Sequence, residues 1–110
     1  MAAICIMYPA GAFNLKYFLN NHMPLVQDTW GSEGLESWEA IQLSPGVPYM
    51  LQLVLKFEKM QQWDAASTGP NANKVFDDIA NFCSVQPEIM RGTIRDSHRT
   101  TLKEKKIFGS

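Results

Sequence analysis

The segment from Phe13 to Trp30 constrains the fold most, because it combines a long apolar stripe with a proline. At about 100° per residue, one side of a helix over this segment carries Leu15, Phe18, Leu19, His22, Val26 and Trp30. A helix packs such a stripe on another element, so His22 points into the contact. Pro24 donates no N–H, so we expect the carbonyl of Asn20 to lose its partner and the helix to bend. The segment therefore predicts a shaped pocket at the histidine.

The remaining sequence predicts elements in the order β-α-β-β-α-β. The predicted strands are 3–8, 35–43, 49–57 and an interrupted strand over 82–95, and the further helices are 59–66 and 70–80. The strand over 49–57 alternates most regularly, with Gln52 and Lys56 on its polar face. This order is that of a ferredoxin-like βαββαβ domain, an α+β fold with helices on one face of an antiparallel sheet.

The apolar strand residues also predict a partner. We expect that Ile4, Ile6, Leu51 and Leu53 cannot all face the helices, which makes the sheet apolar on both sides. A small domain does not leave such a face in water, so a homodimer formed by stacking two sheets is predicted.

Length and charge limit the domain organisation and the classes of partner that the sequence allows. The 110 residues suffice for one core, predicted over 1–95, followed by a basic extension over 96–110. No basic and aromatic surface indicates nucleic-acid binding, and no apolar run is long enough to cross a membrane. Because no signal peptide is visible, and Cys5 and Cys83 are expected to be buried free thiols, a cytoplasmic location is predicted.

Several motifs resemble the EthD family of the dimeric α+β barrel superfamily, over about residues 3–94. The matching positions are Tyr8-Pro9, Phe13-Asn14, Tyr17-Phe18, His22 to Val26, Trp30-Gly31, Gly34-Leu35, Trp38, Pro48-Tyr49, Ile79 and Asn81-Phe82. The stretch from Gln27 to Trp38 is most similar to fungal members. Two positions depart from the family, which often has aspartate in place of Asn14 and a second tyrosine in place of Phe18.

The resemblance implies a dimeric α+β barrel with a pocket between the sheet and its helices. Members of the superfamily include cofactor-free cyclases, decarboxylases and lyases, and EthD-like chains occur in fungal aromatic polyketide pathways. The implied function is a small enzyme without a cofactor that acts on an aromatic or polyketide-like molecule by acid–base chemistry. Three alternatives stay open: a cofactor-free monooxygenase that forms a quinone, a non-catalytic ligand-binding accessory protein, and a haem-linked protein.

His22 is the predicted acid–base residue, since the usual pKa of histidine suits proton transfer near neutral pH. Tyr8, at the end of the first strand, is predicted to donate a hydrogen bond to a substrate oxygen. The residues predicted to contact substrate are Trp38, Trp30, Met23, Tyr49, Trp63 and Ser37.

The other polar residues do not form a recognisable site in the sequence. Asp28 lies on a different helix face from His22, and the Asp77-Asp78 pair is expected on a solvated helix surface. His98 is expected to be exposed in the extension. No cluster with metal-ligand spacing and no nucleotide-binding loop is present, so neither a metal nor a cofactor is predicted.

Overall fold

Residues 1–98 are described by the structure, a computed structural model, and they form an α+β ferredoxin-like fold. The strands are β1 (Ala2–Pro9), β2 (Leu35–Gln42), β3 (Tyr49–Phe57) and β4 (Glu88–Thr93). The α-helices are α1 (Leu15–Tyr17), α2 (Met23–Trp30), α3 (Met60–Thr68) and α4 (Ala72–Asp78). A π-helical turn (Phe18–His22) joins α1 to α2, and 3₁₀ turns follow α2 (Gly31–Glu33) and α4 (Ile79–Asn81).

The four strands form one antiparallel sheet in the order β2-β3-β1-β4, which confirms the predicted βαββαβ architecture. The last strand is shorter than predicted. Residues 82–87 lie outside the four strands, with a single bridge between Cys83 and Phe13. That bridge holds the chain after α4 against the loop after β1.

The two faces of the sheet correct one step of the dimer prediction. Ile6 lies opposite Leu53, and Ile4, Ile6, Leu51 and Leu53 are all buried on the face that the helices cover. The expectation that these apolar residues must occupy both faces is therefore wrong. The opposite face is of mixed character, with Cys5 partly exposed between Val54 and Met90.

The π-helical turn corrects the predicted stripe. The Met23 N–H donates to the Phe18 carbonyl, five residues back, immediately before Pro24. This wider turn takes up one extra residue and accommodates a proline that has no N–H to donate. Leu19 is consequently 42% exposed, whereas Met23 is fully buried. The predicted distortion is present, but it takes the form of a π-helical turn. This turn places Leu19 toward solvent and Met23 in the core.

A second irregularity lies at the start of β2. Leu35 pairs with Phe57 and Ser37 with Lys56, so Glu36 is the extra residue of a β-bulge. The bulge reverses the alternation that follows it. As a result Trp38 lies opposite Leu55, on the same helix-covered face as Leu35.

None of the helices formed within residues 1–98 is long and apolar enough to cross a membrane. Cys5 and Cys83 are both free, and only Cys83 is buried. His98 is exposed, as expected. Most of the predicted basic extension, residues 99–110, lies outside the described residues, and its boundary stays a prediction.

Candidate active site

His22 is buried between the helix layer and the sheet, with 1% of its surface exposed. Its Nδ1 lies 2.9 Å from Oδ2 of Asp78, at the end of α4. An ionised carboxylate only accepts hydrogen bonds, so the imidazole proton belongs on Nδ1 and Nε2 is left as the basic nitrogen. A histidine held in this tautomer can accept a proton at Nε2.

Asp78 is held from its other side as well. The Tyr17 hydroxyl donates to Oδ1 at 2.7 Å, and the Asn81 amide donates to the same oxygen at 2.9 Å. The Asp78 side chain is only 12% exposed, so the expectation that it lies on a solvated surface is wrong. Asp77, its neighbour, is exposed as expected.

Burial and hydrogen bonding set the charges of this pair. Burial lowers the pKa of His22 below its usual 6.5, against the opposing effect of the Asp78 carboxylate. Burial alone would raise the pKa of Asp78, but hydrogen bonds from Tyr17, Asn81 and His22 outweigh it and lower that pKa. Near neutral pH, Asp78 is therefore ionised and His22 neutral.

Aromatic rings enclose the histidine. Its ring centroid lies 4.5 Å from that of Phe82 and 5.7 Å from that of Phe18. Tyr8 contacts the same two phenylalanines edge-on, at 5.6 Å and 5.7 Å. Phe13 completes the group, which we call the histidine cluster (Tyr8, Phe13, Phe18, His22, Phe82).

Tyr8 is fully buried within this cluster, and its hydroxyl has no hydrogen-bond partner among residues 1–98. Burial, with a smaller effect of Cys83, raises the pKa of Tyr8 far above its usual value. The group therefore stays protonated and can donate a hydrogen bond. A buried hydroxyl without a hydrogen-bond partner lowers the free energy of unfolding, and such groups are therefore uncommon in well-packed cores.

The other residues predicted to contact substrate do not gather around His22. Met23, Trp30 and Trp63 are buried core residues, and the two tryptophans pack edge-to-face at 5.4 Å. Tyr49 donates a hydrogen bond to Glu88 on the exposed surface. Ser37 and Trp38 line a separate groove of about 400 Å³ beside the bulge of β2.

A larger groove lies directly beside the histidine cluster. It has a volume of about 550 Å³ and is lined by Ala12, Phe13, Asn14, Leu15, Ala80, Asn81, Phe82, Cys83 and Ser84. We call it the Phe13–Phe82 groove. Neither His22 nor Tyr8 lines it, but two of its lining residues contact them: Phe13 and Phe82 both contact Tyr8, and Phe82 also contacts His22.

Asp78 is the residue of this site that sequence reasoning missed. It pairs with His22 across 56 positions of the chain, a separation at which no local pattern reports contact. A signal was nevertheless present, because Asp78 adjoins Ile79 and lies three residues after Val75, both on the apolar stripe of the helix. Within residues 1–98, no group of three His, Cys, Asp or Glu side chains could hold a metal ion.

Neither a protein-family model nor a curated protein matches the chain. Solved structures do match. An EthD-like protein from Ralstonia eutropha superposes with a TM-score of 0.74 at 19% identity, covering 89% of this chain and 96% of that one. A dimeric ferredoxin-like protein of unknown function from Jannaschia has a TM-score of 0.63 at 11% identity, covering 84% and 97%.

A third similar structure is a proposed antibiotic biosynthesis monooxygenase from Nitrosomonas europaea. Its TM-score is 0.55 at 9% identity, covering 87% of this chain and 100% of that one. At these identities the likenesses establish the fold alone. The chain therefore has the fold of EthD-like and dimeric ferredoxin-like proteins, and these three similar structures are bacterial.

Proposed function

We propose that this protein is a small enzyme that uses His22 as an acid–base group on an aromatic or polyketide-like substrate without a cofactor. The single observation that carries the proposal is the 2.9 Å contact between the buried His22 and Asp78. Asp78 fixes both the tautomer and the orientation of the neutral imidazole, so that Nε2 can act as a base. Packing of the core does not require such a hydrogen bond.

In the proposed reaction, Nε2 of His22 removes a proton from a carbon next to a substrate carbonyl. The electron pair of the C–H bond moves onto the carbonyl oxygen, and the resulting imidazolium is stabilised by Asp78. Tyr8 donates a hydrogen bond to the developing oxygen anion. Cyclisation by attack of the enolate carbon on a second carbonyl, or elimination of a β leaving group, can follow from such an enolate, and the proton on Nε2 then goes to the new alkoxide or to the leaving group. In a decarboxylation Nε2 instead takes the carboxylic acid proton, the enolate forms as the C–C bond to the carboxylate breaks and CO₂ leaves, and the imidazolium returns the proton to the enolate carbon.

The test is turnover of a panel of aryl β-keto acids and thioesters, followed by mass spectrometry. We expect His22→Gln to reduce turnover by about a hundredfold to ten-thousandfold, because general base catalysis contributes that much. The matched control is His98→Gln, which changes the other histidine of the chain, an exposed one. Undiminished turnover by a folded His22→Gln protein would exclude this role.

Two alternatives use the same site. A monooxygenase that forms a quinone through a substrate carbanion and O₂ is favoured by the fold shared with the proposed antibiotic biosynthesis monooxygenase. Oxygen consumption during turnover distinguishes it from the acid–base enzyme. A non-catalytic ligand-binding protein is favoured by the burial of His22, and it predicts binding without turnover that tolerates glutamine at this position.

We also infer that the protein belongs to the EthD family and assembles as a homodimer. The Jannaschia protein with the same fold is described as dimeric. The mixed sheet face around Cys5, Val54 and Met90 is the surface that a second copy would cover. Light scattering tests the dimer, and a charge placed by Val54→Lys should dissociate it. A fungal origin of the sequence pattern and a cytoplasmic location stay predictions.

A further inference from the structure

We infer that the Phe13–Phe82 groove binds a small planar molecule whose carbonyl or phenolate oxygen accepts a hydrogen bond from Tyr8. This inference rests on the proposed function for its chemistry, but it concerns binding and is tested without turnover. It begins from two independent observations, a groove of about 550 Å³ and, next to it, a fully buried hydroxyl that has no hydrogen-bond partner within the described part of the chain, residues 1–98.

Tyr8 and the groove share two neighbours. Tyr8 contacts Phe13 at 5.5 Å and Phe82 at 5.6 Å between ring centroids, and both of these residues line the groove. The two phenylalanines contact each other edge-on at 5.4 Å. Phe13 is only partly buried. In the proposed complex its ring turns outward, so that a flat group enters between the two rings.

The chemistry of the lining restricts the ligand. Phe13 and Leu15 are partly exposed and offer apolar surface to a flat ring system. Tyr8, kept protonated by burial, offers a donor and therefore selects an acceptor oxygen over an ammonium group. Asn14 and Asn81 also line the groove and add neutral polar groups, which suits an uncharged or singly charged ligand.

The unpartnered hydroxyl favours binding over packing alone because it occurs together with the adjacent groove. Phenylalanine would fill the same space without leaving a buried donor unsatisfied, so the hydroxyl does not serve the stability of the free protein. A ligand oxygen that accepts its hydrogen bond would remove that penalty. Tyr8→Phe is therefore expected to stabilise the free protein and to weaken binding.

The experiment is a titration of the full chain with 4-nitrophenolate, followed by the visible absorption of the probe. We expect saturable binding by the wild type, about tenfold weaker binding by Tyr8→Phe, and a melting temperature for that variant equal to or above that of the wild type. The matched control is Tyr49→Phe, which removes a hydroxyl bonded to Glu88 away from the groove and should leave binding unchanged.

The inference is overturned if the wild type does not bind the probe, if Tyr8→Phe binds it as tightly as the wild type, or if that variant is clearly less stable. His22→Gln separates the two proposals. Retained binding with lost turnover supports both, whereas retained binding with retained turnover removes only the proposed function. If turnover depends on His22 but Tyr8→Phe does not weaken binding, the inference about the groove is excluded and the proposed function is retained.

Discussion

Two buried aromatic clusters lie along the same helix layer, and they differ in one respect that matters. The histidine cluster contains His22, whereas the tryptophan cluster (Trp30, Trp63, Phe57, Phe76) contains no titratable group. Each also holds a buried polar atom without a partner among residues 1–98, the hydroxyl of Tyr8 or Nε1 of Trp30. An unpartnered atom alone therefore does not mark a functional site.

The distinguishing feature is the negative charge of Asp78, which lies next to the aromatic rings of the histidine cluster at one end of α2. Asp78 accepts hydrogen bonds from Tyr17, Asn81 and His22, and the last of these joins it to the histidine cluster. Such a network costs desolvation that an apolar side chain would avoid. The tryptophan cluster shows how this layer packs without such a network, and it is the internal reference against which the site can be tested.

The largest expected effect belongs to the tryptophan cluster. Trp63→Ala removes a side chain that packs on both Trp30 and Phe57, and we expect it to lower the free energy of unfolding by about 3–5 kcal/mol in urea denaturation. The pKa of His22, measured by NMR titration, should not move, since Trp63 makes no contact with its hydrogen-bond network. A clear change in that pKa would show that the two clusters are coupled and would break the comparison.

An intermediate effect is expected at Asp78. Asp78→Ala leaves Nδ1 of His22 buried without its acceptor, so we expect a loss of about 1–3 kcal/mol in the free energy of unfolding. The pKa of His22 should fall further, because the carboxylate that favours the imidazolium is gone.

The matched control for this variant is Asp77→Ala, which removes the same charge from the exposed neighbouring position. We expect its effect to stay within about 0.5 kcal/mol. Equal losses from the two variants would mean that helix charge, and not the contact with His22, accounts for the result.

The sequence predicted the fold through patterns that act over a few residues. Strict alternation from Tyr49 to Phe57 defines β3 to the residue, and the order of elements defines the ferredoxin-like topology. The presence of Pro24 correctly predicted that the helix is distorted. Periodicity at a fixed angle failed at Leu19 and Met23, because a π-helical turn changes the angle locally.

The candidate site was predictable only in part for a physical reason. His22 could be found because its position on an apolar stripe is a property of one helix. Its partner Asp78 belongs to another helix, and contact between helices depends on how each packs on the sheet. The grooves depend likewise on side chains from several elements, which is why Trp38 and Ser37 were grouped with His22 and lie elsewhere.

The smallest effect expected is a dependence of stability on pH that belongs to the histidine cluster alone. Because burial lowers the pKa of His22 in the folded protein, the unfolded chain takes up that proton first as pH falls below 6.5. The stability that comes from a neutral His22 is therefore present above 6.5 and is lost as pH falls toward the lower folded pKa. A second loss, from the lowered pKa of Asp78, follows only below about 3.8.

Urea denaturation across this pH range separates the clusters. The wild type and Trp63→Phe should both lose stability in the first window, since both keep His22 buried beside Asp78. His22→Gln should lose much less there, because glutamine does not titrate. If its stability fell as steeply as that of the wild type, the acid sensitivity would arise elsewhere, and His22 would not be the titrating group that distinguishes the two clusters.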